Sequence, residues 1–549
     1  MLADLVISGA TVERITGVGG PAPDAVAVTN GRISAVGSAS DLEPMIGPST
    51  RVVRLNGETL LPGFQDAHIH PVQGELTVMQ CDLNVPADRF GEVIQAYART
   101  HPEREWIVGA GWSVTDFPDA APRREALDAL VPNRPVFLWS RDGHSAWVNS
   151  RALELAGISA ATPDPPGGLI VRDPHGAPAG TLREGAMSMV ETLVPPATPE
   201  EHATALASVQ HRLHALGVTG WQDASVYDSG ACDRQLAAYR DAARNRTLEA
   251  RVVASLFWDP RRGTEQIGEF AAQRDEASVG RLRAGTVKIW VDGVVEGLTG
   301  AMLEPYQDAS GSLTENTGMA LVPPDALREA VVALDRAGFQ AHMHAIGDAA
   351  VRSALDAVEA ARLANGASDL RHHLAHIQVI HPDDLPRFAA LNATATMQPI
   401  WACHEPTMDE RTIPFLGDER TAWQYPFASL LRHGARLAGG SDWPVTSANP
   451  LLEMEVAVTR VSAAAREGAP FLPAERISLD AALAAFTIGS AYVNHLDGES
   501  GSIEVGKFAD LALLDRNLRD ANAGPIGEAQ VVSTWVEGVE VYAAGAKGD

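Results

Sequence analysis

Cysteine is scarce in this 549-residue chain: Cys81, Cys232 and Cys403 are the only three, and no two of them have CxxC spacing. That argues against a disulfide framework and against a cysteine-rich zinc site, and it fits a reducing compartment. The chain also lacks any run of about 18 uncharged apolar residues, so no transmembrane helix is expected. Its start, Met1-Leu2-Ala3-Asp4-Leu5-Val6, has no basic region ahead of an apolar stretch. No signal peptide is therefore expected, and the expected location is cytoplasmic. Positive charge is in deficit, with 43 Lys and Arg against 70 Asp and Glu, giving a net charge of −27. Nucleic acid and anionic membrane would both be repelled, so neither is expected as a partner. The expected partner is a small-molecule substrate, with a homodimer as the candidate assembly.

An apolar content of 45% and a charged content of 21% are those of a globular protein. The length is too great for one simple core, so several domains or one large barrel with insertions are expected. Residues 1 to 58 read as short strands, Asp4–Ser8, Ala25–Thr29, Arg32–Val36 and Arg51–Leu55, with Asn30-Gly31 as a two-residue hairpin turn. Near the other end, Ala509-Asp510-Leu511-Ala512 echoes Ala3-Asp4-Leu5-Val6, and strands at Ser533–Val536 and Glu540–Ala543 follow. The pattern predicts a small β-sandwich from 1–58 and 497–549. Residues 71–215 are rich in Pro, Gly and aromatics and read as an inserted domain over the barrel mouth. Its last helix opens on Thr198-Pro199-Glu200-Glu201, an N-cap, a first-turn proline and a capping glutamate. His202, His211 and His214 on that helix are expected to be solvated.

Strand, loop and helix then alternate. Candidate strands are Gly217–Asp223, Ala250–Leu256, Thr286–Asp292, Phe339–His344, His372–Ile377, Ala393–Gln398 and Arg436–Ser441. With the strand that ends at His70 they make eight, which predicts an α/β chain built on a (β/α)8 TIM-like barrel over 59–70 and 216–496. An open doubly wound sheet is the rival, but no Gly-rich phosphate loop follows the first strand.

Chemistry in such barrels gathers at the C-terminal strand ends. Leu61-Pro62-Gly63-Phe64-Gln65-Asp66-Ala67-His68-Ile69-His70-Pro71 ends the first strand on two histidines. Residues two apart in an extended segment share a face, so both imidazoles can aim at one point, and imidazole suits zinc and similar ions. Lys288 lies on the fourth strand, with Trp290 and Asp292 on its face, and His344, His376 and Asp442 end the fifth, sixth and eighth. Any one of these alone reads as a satisfied core polar group. Five strand ends carrying ligand-type residues are hard to obtain from packing alone. His144, in the Gly-containing loop Asp142-Gly143-His144-Ser145, is a candidate for binding substrate over the mouth. Trp112, Trp290, Trp401 and Trp443 are candidates for lining an apolar pocket, and Glu184 for shaping the mouth.

The segments Pro62-Gly63-Phe64, Asp66 to His70, Asp142 to Ser150, Lys288 with Asp292-Gly293, His344 to Asp348, Gly440 to Val445 and Gly501 to Leu511 carry a resemblance over nearly the whole chain. By them the chain resembles the amidohydrolase superfamily, and within it the family 3 group that includes N-substituted formamide deformylases. The resemblance implies one or two divalent ions, Zn2+ foremost, held by His68, His70, His344 and His376. Asp442 would stand beside the metal as ligand and proton shuttle. Lys288 matches a position that can be carboxylated and bridge two ions; unmodified, an ammonium has no lone pair to offer, and it could instead pair Asp292 or Asp442. His342 has the parity to point inward and is expected behind a ligand rather than as one. The chain departs from the pattern at Leu374-Ala375-His376, where an acidic residue commonly precedes the histidine; alternation is expected to turn Ala375 away.

A bound divalent metal lowers the pKa of water to about 7. The implied reaction is then hydrolysis of a linear amide C–N bond, in an N-substituted formamide or small N-acyl compound. Hydrolysis at a cyclic amide or amidine carbon is the alternative. A non-catalytic regulatory scaffold would be expected to have lost Asp442 or a histidine ligand, and neither is missing.

Overall fold

The eight strands read along the sequence pair into one parallel sheet in chain order. In this computed structural model, which describes residues 2–15, 23–117, 121–226, 234–520 and 522–545, they are β1 (Phe64–Ile69), β2 (Val218–Asp223), β3 (Arg251–Phe257), β4 (Leu282–Trp290), β5 (Gln340–Ala345), β6 (His373–His376), β7 (Thr394–Met397) and β8 (Arg436–Gly439). Cys232 lies outside the described residues.

The seam between β8 and β1 is held by bonds at the strand ends. The Asp442 N–H donates to His68 O at 2.7 Å and the His70 N–H to Trp443 O at 2.9 Å. The Asp66 carboxylate accepts the Ser441 N–H at 3.1 and 3.2 Å. The result is the TIM-like barrel that the alternation predicts.

Apolar spacing explains the outer layer. The helix Pro324–Arg336 buries Leu327, Ala330, Val331 and Leu334, one stripe of a 3.6-residue repeat. The helix Asp348–Asn365 buries Val351, Leu355 and Val358 in the same way. The helix Pro199–His214 starts on the expected capping box of Thr198 and Glu201, but its histidines are not all solvated. His202 and His214 are fully buried and only His211 is exposed. His214 donates from Nδ1 to Val218 O at 3.0 Å, and burial pushes its pKa down to about 4. The stripe that packs on the barrel includes them, so their polarity was a poor guide to their place.

Among the described residues, three further sheets accompany the barrel. A four-stranded sheet joins Leu5–Ser8, Ala25–Thr29, Arg32–Gly37 and Arg51–Arg54. A five-stranded sheet mixes both chain ends, with Leu511–Leu514 antiparallel to Thr59–Pro62. Ile7, Val26, Leu60, Leu511 and Trp535 share one core between the two. The segment after β1 carries a six-stranded sheet that includes Ile107–Trp112, Val136–Ser140, Ser145–Val148 and Pro178–Glu184.

Trp112, expected to line the substrate pocket, belongs instead to this sheet's core. It is fully buried beside Cys81, Leu127 and Trp147, and its Nε1–H donates to Leu138 O at 2.8 Å. Among the described residues no helix is long and apolar enough to cross a membrane.

Candidate metal centre

At the C-terminal ends of the strands, the donor atoms of His68, His376 and Asp442 lie within 4.8 Å of one another, all from buried residues. Asp442 Oδ1 is 3.2 Å from His68 Nε2 and 3.4 Å from His70 Nε2, and Oδ2 is 3.9 Å from His376 Nδ1. His70 joins by alternation from His68, as expected of residues two apart.

His376 arrives differently: its φ of 74° ends β6, and Gln398 Oε1 accepts its backbone N–H at 2.9 Å. Asp442, at φ 54°, is also in the left-handed region, as are Glu184 and Ile377 beside the site. Such backbone costs about 1–3 kcal/mol per residue and clusters where geometry is over-determined by function.

His344 stands next to this group rather than inside it. Its ring is 4.4 Å from that of His376, and its Nε2 is 3.2 Å from Gly293 O. A carbonyl only accepts, so His344 carries hydrogen on Nε2 and keeps its lone pair on Nδ1. Lys288, fully buried, points Nζ at His68 Nε2, 3.3 Å away. Burial pushes its pKa down to about 7, against the pull of Asp442 and Asp223. Pairing of Lys288 with Asp292 is not the arrangement found. The Asp292 carboxylate accepts the N–H groups of Ala301, Ile346 and Gly347 at 2.8, 3.0 and 2.9 Å.

Burial holds His68, His344 and His376 well below the usual imidazole pKa, so they present lone pairs. For Asp442 burial works upward, but His70, His376 and Lys288 outweigh it and keep the carboxylate ionised. The Nδ1 atoms of His70 and His376 are buried without a hydrogen-bond partner. Neutral His68 and His376, with the partnerless Nδ1 of His376 on the side of the ionised Asp442 carboxylate, are a donor set that suits a divalent metal ion.

Residues of the segment between β1 and β2 reach the strand-end residues. His144 bonds Glu184 through Nδ1 at 3.0 and 3.2 Å, and its ring lies 5.4 Å from that of His344. Glu184 also accepts from Thr299 Oγ1 at 2.8 Å. Burial works against a charged His144, yet Glu184 more than offsets it and raises the pKa to about 9. The half-buried Trp401 stacks on His376 at 5.7 Å, and Trp290 faces Lys288 Nζ at 5.3 Å. Trp443 turns the other way: a Cβ on Gly74 would come 2.6 Å from its ring.

Sequence reasoning missed three residues. Asp66 accepts the His68 N–H at 2.9 Å and anchors the seam. Asp223 ends β2, fully buried, and accepts from Gln235 Nε2 at 2.7 Å and Tyr239 OH at 2.8 Å. Gln398 directly follows β7 and holds His376. Asp223 and Gln398 stand at the C-terminal ends of strands that were read correctly, and that position was the available signal; Asp66 lies inside β1, two residues before His68.

Comparison with known proteins places the chain in a family. The chain is 32% identical to Protein LONG AFTER FAR-RED 3 of Arabidopsis thaliana, over 99% of this chain and 92% of that one. It is 30% identical to N-substituted formamide deformylase of Arthrobacter pascens, over 98% of both. Its fold matches the crystal structure of an uncharacterized metal-dependent hydrolase from Pyrococcus furiosus, with a TM-score of 0.70 and 25% identity over 93% of this chain and 99% of that one. The family profile for amidohydrolases aligns with residues 51–542, spanning the barrel, the segment between β1 and β2 and most of the five-stranded sheet, but only one strand of the four-stranded sheet. With strand-end histidines, a carboxylate and a lysine on that barrel, the chain belongs to the amidohydrolase family, hydrolytic enzymes that act on C–N bonds.

Proposed function

We propose that the substrate is a linear amide, an N-substituted formamide or a small N-acyl compound, and that hydrolysis releases the amine. The observation that carries the reading is the Asp442 carboxylate, ionised and within 3.2 to 3.9 Å of three imidazoles. The full-length similarity to a formamide deformylase supports the choice of amide. His68, His70, His376 and Asp442 would hold a divalent ion, Zn2+ first among candidates, with His344 and Lys288 completing a site for one or two. When bound, the metal supplies a Lewis acid that polarises the carbonyl and acidifies a water.

Around that centre the protein's own groups do the rest. Asp442 takes the proton from the attacking water and delivers it to the amide nitrogen, which leaves poorly unless protonated. His144, fixed by Glu184, offers its Nε2–H to the substrate carbonyl from the side opposite the strands. Trp290 and Trp401 flank the space where the substituent would lie.

The test is a panel of formamides, acyl-amines and cyclic amides, followed by Asp442→Asn on the best substrate. The substitution removes charge with little change of shape, and a proton shuttle contributes about 10²–10⁴-fold. The turnover number should fall at least a hundredfold by that measure, with the Michaelis constant little changed. Near-normal turnover in Asp442→Asn would overturn the role and the mechanism built on it. A preference for cyclic amides would move the substrate to the alternative class.

A further inference from the structure

Below the donor cluster, the barrel interior holds polar side chains where such barrels are usually filled by branched apolar ones. Ser255 of β3, His342 of β5, His373 of β6 and Thr396 of β7 are all fully buried. They form one connected column that ends on a candidate ligand. His68 Nδ1 lies 2.7 Å from His342 Nε2, and His342 Nδ1 lies 3.3 Å from Ser255 Oγ. The ring of His373 lies 4.0 Å from that of His342 at 32°, and its own Nδ1 is 2.9 Å from Thr396 Oγ1.

A neutral imidazole has two tautomers, and only one of them lets His68 serve a metal. Its Nε2 faces Asp442 Oδ1 at 3.2 Å and Lys288 Nζ at 3.3 Å, so this is the atom that looks into the site. A ligating nitrogen needs its lone pair, which puts the hydrogen on Nδ1. That hydrogen is donated to His342, so His342 Nε2 must be bare and His342 Nδ1 must carry the hydrogen. Ser255 Oγ stands where it can accept it. Metal-binding histidines usually hand this second hydrogen to a carboxylate or a backbone carbonyl. Here the acceptor is an uncharged imidazole, in a space where an unpaired carboxylate would be costly to bury.

We propose that His342 is a positioning residue. With Ser255 it holds His68 in the Nδ1–H tautomer and so presents Nε2 to the metal, while His373 braces the ring of His342 from its face. The inference rests on the proposed function insofar as that reading needs a metal at His68.

The experiment uses full-length protein stripped with a chelator. Zn2+ affinity is read by competition with a chromophoric chelator, and Co2+ loading is read by its visible absorption. His342→Phe keeps a flat ring and removes the acceptor. Zn2+ affinity should weaken about 10–100-fold, the usual range for loss of such a partner, and the Co2+ spectrum should change. His342→Gln, whose amide oxygen can accept from Nδ1–H, should recover most of the affinity and the wild-type spectrum. Ser255→Ala should shift both readouts in the direction of His342→Phe, by less.

Circular dichroism of the metal-free forms reports folding. A folded His342→Phe with wild-type Zn2+ affinity and Co2+ spectrum overturns the inference. If His342→Phe does not fold, Ser255→Ala decides, and wild-type behaviour there overturns it equally. A wild-type chain that takes up neither ion overturns the metal reading and this inference together. A wild-type chain that binds metal but cleaves no amide overturns only the proposed substrate.

Discussion

Lys288 is one of three lysines in the chain, with Lys507 and Lys547. Its Nζ lies 3.3 Å from the imidazole of His68. Lys507 is committed elsewhere, donating to Asp497 O at 2.6 Å. A buried amine that spends part of its time uncharged can add CO2, releasing a proton and becoming a carbamate with two oxygens for metals. Protein loaded with Zn2+ in 13C-bicarbonate should therefore show a carbamate signal by carbon NMR, and Lys288→Met should lose it. So few lysines make the assignment direct. A labelled, metal-loaded wild type without the signal would leave Lys288 a plain amine and favour a single ion held by the histidines.

The seam between β1 and β8 is where individual elements set the site. Gly440 follows β8, and a Cβ there would lie 2.7 Å from His68 Cβ and 2.9 Å from His68 N. The two strands can come this close only because position 440 has no side chain. Gly440→Ala must push β1 and β8 apart, and overpacking of this kind typically costs about 1–3 kcal/mol. The melting temperature should drop, and Zn2+ affinity with it, since His68 and Asp442 sit on opposite sides of the seam. Unchanged melting and metal binding in Gly440→Ala would show that the seam is looser than these contacts require.

On the scale of the whole molecule, Arg251 ties the barrel to the terminal sheets. Its guanidinium bonds Asp510 at 2.8 Å and Glu537 at 2.8 Å, and Phe508 lies between Arg251 and Arg32 at 3.8 Å from each. Asp510 is buried, so removing its cation leaves a charge with poor solvation. Breaking one partner of a buried pair costs about 3–5 kcal/mol. Arg251→Met should lower denaturant stability by that order, and Arg251→Met combined with Asp510→Asn should recover part of it. A single substitution without measurable effect would mean that the terminal sheets are held by their apolar core alone.

The local code was enough for much of this. The alternation of strand and helix patterns marked eight strands, and it marked helices over Asp325–Ala337 and Ala349–Arg362 where the structure has Pro324–Arg336 and Asp348–Asn365; Asn30-Gly31 marked a hairpin, and Thr198 with Glu201 marked a helix start. All of these depend on neighbours within a few residues. The strand ends carrying His68, His70, Lys288, His344, His376 and Asp442 were legible for the same reason.

Depth and direction were not. Trp112, His202 and His214 are buried by segments far along the chain, which no local pattern contains. Strict alternation was expected to turn Ala375 away and bring His376 inward, yet His373, which shares the parity of Ala375, is the residue bonded to Thr396 and packed on His342. His376 reaches the cluster through the turn of its own backbone, held by Gln398 from the next strand. The sequence determined which residues stand at the barrel's chemical end. Only closure of the barrel decided which nitrogen of each histidine faces the centre, because hydrogen-bond partners from other strands choose the tautomer.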